Sequence, residues 1–142
     1  MLAFAYQGQT ADSTLGQGAS STGRAGEYFA AYVLESYGVE AHRVDTQYSD
    51  LWCRVGEDVR AVEVKTCTRF SVAPAHRKVS PHYRFNVKSK KHGWFCLVAL
   101  DIERLLFRPV EEVTASQTLQ IQASEFTLDN QRMTIERFLE SC

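Results

Sequence analysis

The sequence contains few cysteines and prolines and has no long apolar run. Its four cysteines are Cys53, Cys67, Cys96 and Cys142. They form no CxxC pair and lack the density of a small secreted scaffold, which argues against disulfides and against a structural zinc site. The longest apolar run, residues 94–100, is too short to span a bilayer, and the first residues lack the charged leader and apolar length of a signal peptide. We therefore expect a soluble, cytoplasmic protein with no membrane partner.

Acidic residues are absent from the middle of the chain. No Asp or Glu occurs between Thr66 and Leu100, while the stretches on either side carry a net negative charge. The seven basic residues of this segment are Arg69, Arg77, Lys78, Arg84, Lys88, Lys90 and Lys91. Because nucleic-acid affinity is largely electrostatic, these seven residues are candidate contacts for phosphates. On charge alone, a solvated basic loop is an equally good interpretation.

Length and composition predict one folded domain. A chain of 142 residues with 44% hydrophobic residues can bury one core, but it is too short for two independent lobes. Residues 1–22 are rich in Gln, Gly, Ser, Thr and Ala without a clear period, which predicts a flexible N-terminal arm. Residues 23–142 would then form the single domain.

Hydrophobic periodicity predicts a helix followed by several strands. Apolar positions recur at helical spacing from Gly23 to Tyr37. Ser21 and Thr22 are suited to cap the start of this helix, and Gly38 can supply the left-handed residue that ends it. Further predicted elements are strands over residues 39–44, 51–55, 58–66, 83–87, 94–100, 104–110 and 118–121, and a helix over residues 131–139. This order predicts an α/β (α+β) domain with a central mixed β-sheet flanked by helices.

A two-residue turn predicts how two of these strands pair. The dipeptide Gly56-Glu57 suits a type II′ turn, which has Gly at its first central position. Val55 then lies opposite Asp58, and the pairing continues outward along both strands. This register decides which side chains share a face of the sheet.

In this register, two carboxylates and one amine share a face. Asp50 lies opposite Glu63, with Cβ atoms about 4.5 to 5.5 Å apart, and Lys65 follows two residues later on the same face. Two carboxylates beside an ammonium group can hold a divalent cation. A three-residue loop would instead set Asp50 opposite Val64 and send its side chain to the other face. An exposed strand face with an ordinary ion pair is the alternative interpretation.

Glu27 is a further acidic residue that requires an explanation. On a helical wheel it lies within about 60° of Ala30, Ala31 and Leu34, so it faces inward or along the edge of the core. A first-turn carboxylate favoured by the helix dipole is the alternative. A capping box is not favoured, because Arg24 stands three residues earlier where Ser or Thr would be needed.

The order of these residues resembles the PD-(D/E)XK nuclease superfamily. The resemblance is carried by Gly26-Glu27 in the first helix, Asp50 at the start of a strand and Glu63-Val64-Lys65 at the end of the next. It covers residues 23–110, and Ser49 stands where the motif has Pro. The resemblance implies a restriction-endonuclease-like αβββαβ core, whose acidic residues bind magnesium for phosphodiester hydrolysis.

Two groups within the superfamily are similar to this chain. Similarity to the small intron-associated homing endonucleases is carried by residues 48–51, 62–66, 83–85, 94–101 and 107–113. The first helix and the Glu-X-Lys sequence also resemble archaeal-type Holliday junction resolvases. Both groups act as homo-oligomers, so the resemblance implies double-stranded or branched DNA as the partner and a dimer or tetramer as the active form. It is also compatible with an intracellular protein encoded by a phage or mobile element.

The resemblance implies a role for each motif residue in a Mg²⁺-dependent DNA endonuclease, for which Mn²⁺ substitutes. Asp50 and Glu63, with the carbonyl of Val64, would ligate the metal. Glu27 would contact the metal through water or hold a second ion. Lys65 would orient or help deprotonate the attacking water. The catalytic residues would then be Glu27, Asp50, Glu63 and Lys65, and the seven basic residues would contact DNA.

Three functions are open at this point. A sequence-specific, homing-type endonuclease is favoured over a structure-specific Holliday junction resolvase. A non-catalytic DNA-binding module on the same fold is the alternative from another class. An RNA target is disfavoured, because the paired stacking aromatics of an RNA-recognition strand are not visible in the sequence.

Overall fold

The structure, a computed structural model, describes residues 18–44, 46, 49–72, 80–87, 93–113 and 118–140. The helices within these residues are α1 (Gly18–Ser36) and α2 (Leu128–Glu140). The strands are β1 (Glu40–Arg43), β2 (Leu51–Val55), β3 (Asp58–Cys67), β4 (His82–Asn86), β5 (Trp94–Ala99), β6 (Arg104–Pro109) and β7 (Thr118–Gln122). Every predicted strand and the second predicted helix are therefore confirmed. No described helix is long and apolar enough to cross a membrane.

The central sheet is mixed. Its five strands follow the order β1-β2-β3-β5-β6. Strands β3 and β5 run parallel, and the other neighbours run antiparallel. Strands β4 and β7 pair antiparallel in a separate two-stranded sheet, which we name the β4–β7 ribbon. The fold is α+β with a mixed central sheet, as the sequence predicts.

Strand β5 is buried on both faces and organises the molecule in three layers. Trp94 and Val98 belong to an apolar cluster that includes residues of α1 and α2. Phe95 and Leu97 belong to a second cluster, which they share with the β4–β7 ribbon. Because successive side chains of a strand point to opposite faces, the helices cover one face of the central sheet and the ribbon covers the other.

The connection between the parallel strands β3 and β5 differs from the αβββαβ order. That order has a helix at this point. The described residues of the connection instead form β4, and α2 comes at the end of the described chain. Tyr83 and Phe85 of β4 are each 1% exposed and pack in the cluster that covers β5. The ribbon thus covers the apolar face that a crossover helix would otherwise bury.

Helix α1 begins earlier than the sequence predicts. It starts at Gly18, so Ser21 and Thr22 lie inside the helix and do not cap it. The expected boundary after residue 22 falls within α1, and residues 1–17 lie outside the described residues. The division into an arm and a domain therefore stays a prediction.

The C-terminal end of α1 is confirmed. Gly38 has a φ of 81°, which glycine adopts without the steric cost that a Cβ would add. The amide of Val39 donates to the carbonyl of Leu34 at 3.0 Å, and the amide of Gly38 donates to the carbonyl of Glu35 at 2.9 Å. This pair of hydrogen bonds is a Schellman motif, which satisfies carbonyls at the end of the helix.

The predicted hairpin between β2 and β3 is confirmed. Gly56 has a φ of 62°, and the φ of Glu57 is not positive, which fits a type II′ turn. Val55 pairs with Asp58, and the ladder continues to the pair of Leu51 with Val62. The three-residue loop is therefore excluded.

Two buried thiols make the fold sensitive to alkaline pH. Burial, with a smaller effect from Glu35, raises the pKa of the Cys53 thiol from 9.0 to about 12. Burial also raises the pKa of the Cys96 thiol. Such a thiol stabilises the fold fully below its unfolded pKa, and this contribution is lost as the pH rises through the folded pKa. We therefore expect the free energy of unfolding to fall above pH 9, by about 1.4 kcal/mol per pH unit for each thiol.

Urea unfolding at several pH values between about 8 and about 11 measures this effect. The matched variant is Cys53→Ala. It is expected to be less stable at about pH 8 because it leaves a cavity, and its stability should decline less steeply with pH because one thiol is gone. An equally steep decline in the stability of Cys53→Ala would show that the Cys53 thiol does not cause the loss of stability at alkaline pH.

Candidate active site

Glu63 and Lys65 form an ion pair on the ribbon side of the central sheet. Lys65 Nζ lies 2.7 Å from Glu63 Oε2. Their neighbours on β5 are Phe95 and Leu97, which belong to the ribbon cluster, so both side chains project from the face opposite the helices. The side chain of Glu63 is 18% exposed and that of Lys65 is 27% exposed. Glu63 and Lys65 share one face, as the spacing of two residues predicts, and the pair remains reachable from solvent.

Asp50 meets β3 differently from the prediction. The ladder of paired residues ends at Leu51 and Val62, so Asp50 is not paired with Glu63 within it. The amide of Asp50 donates to the carbonyl of Val62 at 2.8 Å. Its Oδ2 accepts the amide of Val64 at 2.8 Å. This difference from the predicted pairing has an electrostatic reason. A carboxylate is stabilised by a peptide N–H and is destabilised by a second carboxylate directly opposite.

The Val64 peptide group links the predicted motif residues. The N–H and C=O of one residue point to the same edge of an extended strand. The amide of Val64 is bonded to Asp50, so its carbonyl lies toward that edge as well. Val64 itself separates Glu63 and Lys65 in β3. The motif thus presents carboxylate and peptide oxygens around one short stretch of strand.

Glu27 is held by Arg43 at the end of β1. Arg43 donates to Glu27 Oε1 from Nε at 3.2 Å and from Nη2 at 3.0 Å. Its Nη1 donates to the hydroxyl of Tyr28 at 2.9 Å, and its guanidinium lies 4.2 Å from the centre of the Tyr28 ring. Sequence reasoning missed Arg43, because no local pattern relates two residues on different elements that are joined only in the folded chain.

The structure does not gather the three predicted carboxylates into one cluster. In the part of the chain that is described, no group of three His, Cys, Asp or Glu side chains is close enough to hold a metal ion. In the structure, the Asp50 carboxylate accepts a hydrogen bond from the Val64 amide. Glu63 forms an ion pair with Lys65, and Glu27 forms one with Arg43.

Helix α1 approaches β3 closely beside the motif. An ideal Cβ on Gly26 would lie 1.9 Å from Oγ1 of Thr66, the residue after Lys65. Only glycine permits this distance between helix and strand. Thr66 Oγ1 is buried and has no hydrogen-bond partner among the described residues. Gly26 therefore explains the glycine of the Gly-Glu sequence, because it lets the helix contact the strand. Glu27 is the next residue of the helix.

Two of the seven predicted DNA contacts are described. Arg69, after β3, and Arg84, in β4, are exposed. The remaining five, Arg77, Lys78, Lys88, Lys90 and Lys91, lie outside the described residues. The two described residues are thus accessible to a ligand.

The donor atoms of the motif fit a magnesium ion in chemical type. Asp50 and Glu63 supply carboxylate oxygens, and Val64 supplies a peptide oxygen. Mg²⁺ prefers such hard oxygen ligands and usually binds one or two carboxylates together with water and substrate phosphate. Two carboxylates are therefore sufficient for the predicted ion, and a direct bond from Glu27 is not needed.

Comparisons with known proteins agree with the observed architecture. No family model matches the chain, and no curated protein matches it significantly. Among solved structures, the bacterial homing endonuclease I-Ssp6803I is similar, with a TM-score of 0.57 over 71% of this chain and 72% of that chain. The two sequences are 14% identical, so the similarity concerns the fold. The chain therefore shares its fold with a bacterial homing endonuclease.

Proposed function

We propose that this chain is a Mg²⁺-dependent DNA endonuclease of the PD-(D/E)XK superfamily, which hydrolyses phosphodiester bonds at a specific sequence in duplex DNA. The observation that carries the proposal is the geometry of the motif in β3. Glu63 and Lys65 form a 2.7 Å ion pair, and the Val64 amide between them holds Asp50 at 2.8 Å. The motif lies on a fold that is shared with a bacterial homing endonuclease.

The proposed metal ligands are Asp50, Glu63 and the carbonyl of Val64. A bound Mg²⁺ would lower the pKa of a water molecule and offset the negative charge of the phosphate during attack. The protein contributes the position of these oxygens. Asp50 Oδ2 is fixed by the Val64 amide, so its carboxylate is oriented before any ion binds.

Lys65 is proposed to act on the attacking water and on the phosphate. Its Nζ can donate hydrogen bonds to both, because Lys carries three donors on a flexible stem. Glu63 Oε2 holds this Nζ at 2.7 Å and so restricts where the ammonium lies. Positive charge at this position stabilises the additional charge that develops on the phosphate oxygens.

Glu27 is proposed to act through water, as a positioning residue. It follows Gly26, the residue of α1 that contacts Thr66 of β3, and Arg43 orients its carboxylate through two hydrogen bonds. A water-mediated contact is consistent with the finding that no three carboxylates of the described residues are grouped closely enough to hold a metal ion together. Duplex DNA would be held by the basic residues of the acid-free segment, in an active homodimer or tetramer.

The direct test is cleavage of two substrates in parallel. The first is genomic duplex DNA whose new ends are mapped by sequencing, and the second is a labelled four-way junction. We expect discrete cuts in the duplex with Mg²⁺ or Mn²⁺ and none with EDTA. Symmetric cutting of the junction without sequence preference would replace this proposal with a junction resolvase. Salt-sensitive DNA binding without any cutting would replace it with a non-catalytic binding module.

A further inference from the structure

The outer face of the β4–β7 ribbon carries polar side chains without an acid. Alternation along β4 and β7 turns Tyr83, Phe85 and Ile121 toward the core. The other face consists of three cross-strand pairs, which are His82 with Gln122, Arg84 with Gln120 and Asn86 with Thr118. Five of these six residues are exposed, and His82 is half-buried. The ribbon therefore presents three amides, one guanidinium, one hydroxyl and one imidazole to its surroundings.

A second pair of strands shows what an ordinary solvated face of this protein looks like. On β1 and β2, Glu40 lies opposite Arg54. Glu40 Oε2 is 3.3 Å from Arg54 Nε, and its Oε1 is 3.3 Å from His42 Nε2. Opposite charges are paired with each other on that face. The ribbon face has no such acid, and its three residues on β4 belong to the segment between residues 66 and 100 that lacks acids entirely.

The composition of the ribbon face matches the edges of DNA bases. Arginine forms paired hydrogen bonds with guanine, asparagine and glutamine form them with adenine, and threonine contacts the thymine methyl group. The DNA major groove is about 12 Å wide and admits a two-stranded β-ribbon. An acid-free face with a positive charge also suits the negative potential of the duplex.

We propose that the outer face of the β4–β7 ribbon lies in the major groove of duplex DNA and selects the sequence, with Arg84 and Gln120 at its centre. This inference rests on the proposed function and names the element that supplies its specificity. The ribbon lies on the same side of the central sheet as Glu63 and Lys65, and β3 contacts β4. A duplex on the ribbon therefore lies on the side of the molecule where the phosphodiester bond would be cut.

The test separates sequence readout from general affinity. Preferred sequences are selected by binding from a pool of random-sequence duplexes in EDTA, so that cleavage plays no part. The measured quantity is the ratio of Kd for random duplex to Kd for the selected duplex. We expect Arg84→Ala and Gln120→Ala each to lower this ratio by about 10-fold or more. The matched control is Arg54→Ala, an exposed arginine on the opposite-charge face, which should leave the ratio unchanged.

Three results would overturn the inference. The first is a wild-type protein that selects no sequence. The second is an equal loss of affinity for random and selected duplex in Arg84→Ala and Gln120→Ala, which is the behaviour of phosphate contacts. The third is tighter binding of double-stranded RNA than of DNA. Cleavage is scored separately. A protein that cuts without selecting disproves the ribbon inference and the sequence specificity of the proposed function but leaves the nuclease activity, and one that selects without cutting disproves the nuclease alone.

Discussion

Replacement of Glu63 by glutamine is expected to lower the rate of DNA cleavage by about 100-fold or more while the protein remains folded. Glutamine has the same shape but lacks the negative charge that would bind the cation. It also loses the ion pair with Lys65, whose Nζ is 2.7 Å away. Such a partly exposed pair contributes at most about 1 kcal/mol to stability. The rate of cleavage should therefore fall strongly, whereas the free energy of unfolding should change little.

The matched control for this variant is Glu40→Gln, which makes the same chemical change on β1. Glu40 is exposed and pairs with Arg54 and His42, away from β3. Its replacement should leave cleavage intact. Cleavage of duplex DNA with Mg²⁺ and urea unfolding are measured for both variants. Wild-type cleavage by Glu63→Gln, with an unchanged fold, would remove Glu63 from the proposed site.

Gly26→Ala is expected to lower the free energy of unfolding by about 2 kcal/mol or more. The added Cβ would lie 1.9 Å from Thr66 Oγ1 and 2.9 Å from Thr66 Cβ. These are atoms at the base of a side chain on a central strand, so the helix itself must move away. Alanine favours a helix over glycine by about 1 kcal/mol, but this gain is smaller than the cost of the clash. Movement of α1 would also displace Glu27 from its position.

Gly23→Ala is the control within the same helix. An ideal Cβ on Gly23 meets no atom within 4 Å, so this change should raise the free energy of unfolding by about 0.5 to 1 kcal/mol. Urea unfolding measures the change in the free energy of unfolding for each substitution, and the two changes should have opposite signs. Thr66→Gly removes the atoms in conflict, so in the double variant Gly26→Ala should cost much less than it does alone. Strictly additive effects of the two changes would contradict the clash.

The strands and the Glu63–Lys65 pair were predictable from the sequence because their causes are local. Alternation in residues 58–67 distinguishes the buried Val62 and Val64 from the residues between them. The register followed from Gly56-Glu57, because glycine in first place favours a two-residue type II′ turn, and Gly56 has the positive φ that such a turn requires. A spacing of two residues then places Glu63 and Lys65 on one face.

The parts that sequence reasoning missed depend on contacts between distant segments. Ser21 and Thr22 are good capping residues, but a helix can run through them when the preceding residues also adopt helical geometry. The bond from Arg43 to Glu27 joins residues of β1 and α1. The pairing of β4 with β7 joins segments that no hairpin turn connects. No periodicity reports such long-range pairs, so they were accessible only from the structure.

The parallel pairing of β3 with β5 has a consequence for the order of folding. Strands β1 to β3 are sequential antiparallel neighbours, and β5 and β6 form another such unit. Each unit can form from nearby residues, whereas the parallel pair must first close the long connection that contains β4, at a cost in chain entropy. Glu63 and Lys65 lie on the strand at this junction. We therefore expect the face that carries Glu63 and Lys65 to gain its cover from β5 and the ribbon only when the two units dock.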